Sequence, residues 1–178
     1  MKSITDDAEM LWVYYLVTQI IQEKSSIGEE IDAVIQKIYE KNLREYEEGN
    51  IRYCPTRTSV SAFERKMSAL FANDFHRSNL KKLKTKYGCE ICSSHNQVQN
   101  CHRHGFQRKQ LTADCVRKHL VPAVGGGYSI NLRALVHSFF NAHLVGSSGR
   151  KIIFLCLKHH KMYDHAPVSK HVQTFKIV

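Results

Sequence analysis

The segment FLCLKHHKMYDH, residues 154–165, places a cysteine, three histidines and an aspartate directly after an apolar run. Thiolate, imidazole and carboxylate groups are the usual protein ligands of zinc and related ions. Upstream, the short motif Cys89-Glu90-Ile91-Cys92 supplies two further thiols. The two segments predict one metal site whose halves are separated by a long stretch of chain.

The two halves have the spacing of a structural zinc site. Cys89 and Cys92 form one pair, and Cys156 and His159 form the other, each with two intervening residues. Structural zinc takes four tetrahedral ligands, typically as two such pairs, and Gly88 eases the turn before the first pair. We therefore predict structural Zn²⁺ on these four residues. The other cysteines are expected to be mostly buried thiols: Cys54, Cys101 and Cys115.

Charge is distributed unevenly along the chain. The net charge is +10, but residues 1–50 carry five Lys/Arg against eleven Asp/Glu, which leaves 21 against five in residues 51–178. A basic region of this kind is typical of proteins that bind phosphate backbones. The sequence shows neither a signal-peptide pattern nor an apolar run of about 20 residues. We expect a soluble protein without membrane contact, cytoplasmic or, in a eukaryotic or viral setting, nuclear, where cysteines favour metal over disulfides.

Apolar periodicity predicts helices in the N-terminal part, at residues 8–23, 26–48 and 61–75, the second with a capping box formed by Ser26 and Glu29. We divide the chain into a helical region, residues 1–75, for packing, dimerisation or DNA contact, and a module of residues 76–178. In the module we predict strands at 98–104 and 151–155, a mobile loop at 125–127, a helix capped by Ser129, and a closing helix from His159.

A second group of polar residues suggests catalysis. His160 and Asp164 lie four residues apart and share one face of the closing helix, while His102 lies on the first predicted strand. An ion held by His160 and Asp164 opposite an imidazole is a workable phosphodiesterase site. The imidazole takes a proton from water, and the cation stabilises the charged intermediate and the leaving oxygen.

With these motifs, the chain resembles the HNH nucleases, also called ββα-metal nucleases, in their zinc-bound branch. The resemblance rests on residues 89–92, 98–102 and 154–164, and spans residues 86–166 with a long unmatched interior. It implies two short strands and a helix around one divalent ion, usually Mg²⁺ or a transition metal. The expected fold class is α+β: a helical N-terminal region followed by a zinc-stabilised ββα-metal (HNH-like) module with a long insertion.

The resemblance also implies roles for single residues. The general base falls on His102, the ligand slot before it on Cys101, and the helix ligands on His160 and Asp164. A shift of the strand by two residues would make His104 the base or a ligand. A thiolate in the ligand slot is unusual because it favours softer metals than Mg²⁺. The slot of the family's middle Asn holds Lys151, beside Arg150, and we expect Arg150 or Lys151 to stabilise phosphate charge.

These observations predict a metal-dependent endonuclease that hydrolyses double-stranded DNA, of a restriction, viral or mobile-element type. A homodimer that cuts both strands would give the N-terminal helices a purpose. The alternative is a zinc-stabilised nucleic-acid-binding protein without cleavage activity. In either case the residues expected to contact nucleic acid are Lys81, Lys82, Lys84, Arg103, Arg108, Lys109 and Arg150.

Overall fold

The computed structural model describes residues 4–45, 51–54, 57–144 and 149–167. In chain order, its elements are α1 (Ile4–Gln22), α2 (Ser26–Glu45), β1 (Ile51–Cys54), α3 (Arg57–Arg77), α4 (Leu80–Tyr87), β2 (Val98–His102), α5 (Arg108–His119), β3 (Leu120–Pro122), β4 (Tyr128–Asn131), α6 (Leu132–Asn141), β5 (Ile152–Cys156) and α7 (Leu157–Asp164). This mixture of helices and small antiparallel sheets confirms the predicted α+β class.

The first two helices lie close to their predicted positions. The N-terminal end of α2 is capped by Ser25, whose hydroxyl accepts a hydrogen bond from the Gly28 amide at 3.3 Å. The cap is thus one residue earlier than the predicted Ser26. Both serines offer the same hydroxyl acceptor, so the sequence does not distinguish between them. The described part of α2 ends at Glu45, and its predicted end at residue 48 lies outside the described residues.

The strands form two separate antiparallel sheets. One sheet has the order β1-β4-β3, and the other consists of β2 and β5. In the second sheet the register is regular from Val98 opposite Cys156 to His102 opposite Ile152. Side chains of a strand alternate between its two faces, so this register decides which residues share a face.

The interior of the predicted module differs from expectation in one hairpin. Ser129, predicted to cap a helix, lies within β4, and the cap of α6 is Asn131, whose Oδ1 accepts from the Ala134 amide at 3.0 Å. Residues 125–127 form the turn between β3 and β4, where all three glycines have positive φ. The run Tyr128-Ser129-Ile130 favours a strand, and either Ser or Asn satisfies a helix N-terminus.

By contacts, the chain falls into two compact units. The first contains residues 1–31, 80–105 and 145–178, and the second contains residues 32–79 and 106–144. This grouping joins segments that are distant in sequence, whereas the division predicted from the sequence is a single boundary between residues 75 and 76. That division stays a prediction. Both predicted metal-ligand sets belong to the first unit.

The core of the first unit fixes α7 against the β2–β5 sheet. Val13, Val17 and Ile21 of α1 are buried in one cluster with Leu155 of β5 and Tyr163 of α7. Apolar side chains removed from water in this way stabilise the fold by about 25 cal/mol per Å². The helix that carries His159, His160 and Asp164 is thereby held beside the strands.

The core of the second unit is aromatic. Phe71 of α3 stacks on Phe139 of α6 with ring centroids 3.9 Å apart, and Phe140 meets Phe139 edge-on at 5.2 Å.

Among the described helices, none combines the length and apolarity that a membrane crossing requires.

Candidate metal centre

The first ligand pair is held by a tight turn after α4. Gly88 has φ +70°, and the Ser94 carbonyl accepts a hydrogen bond from the Cys89 amide at 2.8 Å. The Cys89 carbonyl accepts from the Ser93 amide at 2.7 Å. These bonds fold the chain back on itself, so that Cys89 and Cys92 point their sulfur atoms to one side.

The second ligand pair lies where β5 passes directly into α7. Cys156 is the last residue of β5 and occupies the N-cap position of the helix, with φ −66° and ψ 161°. His159 follows in the first turn of α7. A strand-to-helix junction therefore brings Cys156 and His159 close together.

The four side chains converge as a zinc site requires. The ligand atoms of Cys89, Cys92, Cys156 and His159 all lie within 4.8 Å of one another. His159 Nδ1 is 3.4 Å from Cys89 Sγ and 3.3 Å from Cys156 Sγ, and the sulfur atoms of Cys92 and Cys156 are 4.0 Å apart. Tetrahedral bonds of about 2.3 Å to sulfur and 2.0 Å to nitrogen require ligand separations of roughly 3.5–3.8 Å. The group is compatible with structural zinc.

The surroundings of Cys89 and His159 favour the forms of these two side chains that bind metal. Burial raises the pKa of the Cys89 thiol, but backbone hydrogen bonds from Cys156, Cys92 and Ile91 outweigh it, and the net pKa is lowered. Burial and the neighbouring Lys158 lower the pKa of His159. Metal ligands must be thiolates and neutral imidazoles, so both shifts act in the direction of binding.

A second cluster lies on β2 and on the part of α7 that follows His159. It contains Cys101 of β2 and His160 and Asp164 of α7, whose ligand atoms also lie within 4.8 Å of one another. His160 Nε2 is 3.4 Å from Asp164 Oδ2. The structure therefore brings together the three residues predicted to hold a catalytic ion.

Gln99 orients this second cluster and was not foreseen from the sequence. Its Oε1 lies 2.6 Å from His160 Nδ1 and accepts the proton of that nitrogen. Gln99 and Cys101 are two residues apart on β2, so both side chains point to the α7 side. This spacing from a predicted ligand was the one signal in the sequence that pointed to Gln99.

The Cys101 thiol is completely buried. Burial and the charge of Asp164 raise its pKa far above the ordinary value. In the absence of a cation the sulfur therefore carries its proton.

The structure places His102 and His104, the two candidates for the general base, in different surroundings. The register of β2 places His102 on the face opposite to Cys101, whereas His104, beyond the strand, packs on Tyr163 with ring centroids 4.2 Å apart. Burial lowers the pKa of His104, and the charge of nearby Asp164 partly opposes this. His104 is thus a histidine close enough to Asp164 to be influenced by its charge. The assignment of His102 as base stays a prediction.

Arg150 is placed differently from its predicted role. Its side chain is only 4% exposed, and Nη2 lies 2.6 and 2.8 Å from the two carboxylate oxygens of Glu90. Glu90 also accepts the Phe154 amide at 2.8 Å. A guanidinium committed to this buried pair cannot reach a phosphate, so Arg150 ties the Cys89–Cys92 turn to β5 in place of the predicted phosphate contact.

Lys151 is also buried, with an exposed fraction of 3%. Its ammonium donates a hydrogen bond to the Gly149 carbonyl, and its own carbonyl accepts the Arg103 amide at 2.9 Å. Burial of this side chain is at odds with the predicted action on phosphate. The apolar strand that follows draws Lys151 into the interior. In the sequence, Lys151 stands beside another basic residue, and this pattern does not indicate burial.

The remaining basic residues are divided between the two units. In the first unit, Lys81 and Lys82 are exposed on α4, whereas Lys84 and Arg103 are half-buried. Burial, followed by the charge of Lys81, lowers the pKa of Lys84. In the second unit, Lys109 is exposed and Arg108 is half-buried, and both lie on α5. Their predicted contact with nucleic acid stays a prediction.

Comparisons of the chain with protein-family models, with curated proteins and with solved structures gave no significant match.

Proposed function

We propose that the protein is a metal-dependent nuclease that hydrolyses phosphodiester bonds of double-stranded DNA. The observation that carries the proposal is the pairing of two ligand clusters on one β2–β5–α7 arrangement. The Cys₃His group would bind structural zinc, and the group of Cys101, His160 and Asp164 would bind the catalytic ion. When bound, that cation supplies charge stabilisation for the phosphorane and the leaving oxygen.

The protein's own groups would position and deprotonate the attacking water. Gln99 fixes the ring of His160 so that Nε2 faces Asp164. A neutral histidine beside this group accepts the proton of water. His102 and His104 are the two candidates for this base, and the position of His104 next to Asp164 supports His104.

A cleavage assay separates the candidates. Supercoiled plasmid is incubated with the zinc-loaded protein and Mg²⁺, Mn²⁺, Co²⁺ or Zn²⁺, and nicked and linear products are quantified. We expect wild type to nick DNA with at least one ion, and His104→Asn to reduce the rate by about 100-fold, the range of a lost general base. His102→Asn serves as the matched variant on the opposite strand face. The proposal is rejected if wild type nicks with none of these ions.

The rival is a zinc-stabilised nucleic-acid-binding protein that does not cleave. The burial of Arg150 and Lys151 favours it, because both predicted phosphate-stabilising cations are withdrawn from the surface. In that case the protein binds the plasmid with salt-dependent affinity, and Lys81→Gln together with Lys82→Gln weakens binding, yet no product forms with any ion. A gel-shift measurement alongside the cleavage assay decides between the two.

A further inference from the structure

The donor atoms of the second cluster form an unusual set for a magnesium site. Mg²⁺ is generally bound through carboxylates, phosphates and water at about 2.1 Å, in near-octahedral geometry. Here one of three converging ligands is the sulfur of Cys101 and another is an imidazole of His160, with Asp164 as the single carboxylate. Thiolate and imidazole ligands suit zinc, cobalt and similar ions.

The orientation of His160 strengthens this assignment. Because Nδ1 donates a hydrogen bond to Gln99 Oε1 at 2.6 Å, Nε2 points towards Asp164 Oδ2, 3.4 Å away. A hydrogen bond from the distal nitrogen to a neighbouring group is the arrangement by which metal-binding histidines are usually fixed. Nitrogen, oxygen and sulfur therefore converge on one point.

The position of Cys101 also makes it difficult for a water molecule to take the place of its sulfur as a metal ligand. Its side chain is fully buried in the core cluster that includes Val17, Ile153 and Tyr163. An ion that enters beside the half-exposed Asp164 would reach the sulfur at the inner end of the site. The thiol proton would leave to solvent as the sulfur–metal bond forms.

We propose that Cys101 is a thiolate ligand and that the second cluster selects a transition ion of the zinc and cobalt class over Mg²⁺. The inference rests on the metal site of the proposed function, but not on DNA cleavage. The competing explanation is that Cys101 is a core thiol and that His160 and Asp164 form a simple ion pair. A signal that arises only from sulfur bound to metal distinguishes these explanations.

Cobalt provides that signal. The full chain, carrying about one zinc ion in its Cys₃His site, is titrated with Co²⁺ while absorption is recorded in the near ultraviolet and visible. We expect one further equivalent of cobalt to bind, with a thiolate-to-cobalt charge-transfer band. After unbound metal has been removed by gel filtration, the zinc content of the protein, measured by elemental analysis, should be unchanged, which shows that cobalt has not displaced zinc.

Variants assign the band to its ligand. Cys101→Ser is expected to abolish the band, whereas Cys115→Ser, the removal of another buried thiol outside both clusters, should leave it unchanged. Asp164→Asn alters a half-exposed side chain with little risk to folding, and should weaken cobalt binding by about 10-fold or more. A band that persists in Cys101→Ser, or no second cobalt equivalent in wild type, overturns the proposal.

Selectivity is tested by competition. A roughly thousandfold excess of Mg²⁺ over cobalt should leave the band intact, and stoichiometric Zn²⁺ should remove it. Displacement of cobalt by Mg²⁺ contradicts the proposed preference. Because the measurement contains no DNA, a cobalt band without any plasmid cleavage rejects the nuclease alone. Cleavage with Mg²⁺ in the absence of a band rejects this inference alone.

Discussion

Gly88, at the junction of α4 with the Cys89–Cys92 turn, shows how closely the first ligand pair depends on single residues. Its φ is +70°, and a Cβ at this position would lie 3.0 Å from the carbonyl oxygens of both Ser93 and Ser94. Gly88→Ala should therefore destabilise the protein by about 2 kcal/mol, combining left-handed strain with crowding of backbone atoms. Chemical denaturation of the zinc-loaded protein measures the change.

Gly105 provides the control for this prediction. It also has positive φ, at +83°, but a Cβ there would meet nothing within 4 Å. Gly105→Ala should cost about 1 kcal/mol, the strain alone. Equal effects of the two substitutions would show that the turn yields readily and that the packing around Gly88 does not matter.

The candidate metal ligands were predictable residue by residue because their signals are local. Cys89, Cys92, Cys156 and His159 reveal themselves by spacing alone, and the structure brings their ligand atoms together. The position of Arg150 was not predictable, because its partner Glu90 is 60 residues away in sequence and a basic residue has the same appearance whether it is exposed or buried. Burial depends on long-range packing that a single sequence does not display.

At the level of elements, the buried pair of Arg150 and Glu90 connects the Cys89–Cys92 turn to β5. Their side chains are 4% and 5% exposed. Removing one charge leaves the other buried without compensation, so Glu90→Gln should destabilise the protein by about 3–5 kcal/mol. Thermal or urea unfolding monitored by circular dichroism measures this.

The exposed pair of Lys158 and Glu9 supplies the comparison. Its side chains are more than half exposed, and Glu9→Gln is expected to change stability by about 0–1 kcal/mol. Similar losses for Glu90→Gln and Glu9→Gln would contradict the structural role assigned to the buried pair.

Helices α2 and α3 meet at a second carboxylate whose environment is unfavourable. Burial raises the pKa of Asp74, opposed by the hydrogen bond that Asn42 Nδ2 donates to it at 3.2 Å. A folded-state pKa above the unfolded one means that the ionised form costs stability at neutral pH, and that this cost disappears as pH falls through the folded pKa to the unfolded one. Asp74→Asn should thus raise the melting temperature at pH 7.

The gain should shrink as the pH is lowered towards about 4, the usual pKa of an unfolded aspartate. Asp114→Asn, at an exposed position of α5, serves as the control. Melting curves of both variants at several pH values test the sign, and a gain that grows on acidification would be inconsistent with a raised pKa.

Elements were predicted well where periodicity was strong and poorly where turns decided the structure. The helices of the N-terminal part and the two strands beside the metal ligands follow from apolar patterns. The β3–β4 hairpin did not, because three consecutive glycines indicate a loop but not whether the flanking residues pair. Pairing depends on partners such as β1, which is distant in sequence from β4.

On the scale of the whole molecule, the two ligand clusters belong to one compact unit, although their residues come from segments separated by the second unit. The sequence revealed the ligands but not the grouping of the segments, because the intervening residues 106–144 form contacts mainly with residues 32–79. A resident metal would link the separated segments and stabilise the folded state.

We propose that the second cluster performs metal-dependent cleavage on a scaffold held by zinc. The most direct test is the plasmid-nicking rate of wild type and Asp164→Asn, with the zinc content of both measured in the same samples. We expect at least one zinc ion per chain in both proteins, the occupant of the Cys₃His site, and a loss of activity of at least about 100-fold, equivalent to about 3 kcal/mol. Equal nicking by the two proteins, or a zinc-loaded wild type that never nicks DNA, would contradict the claim.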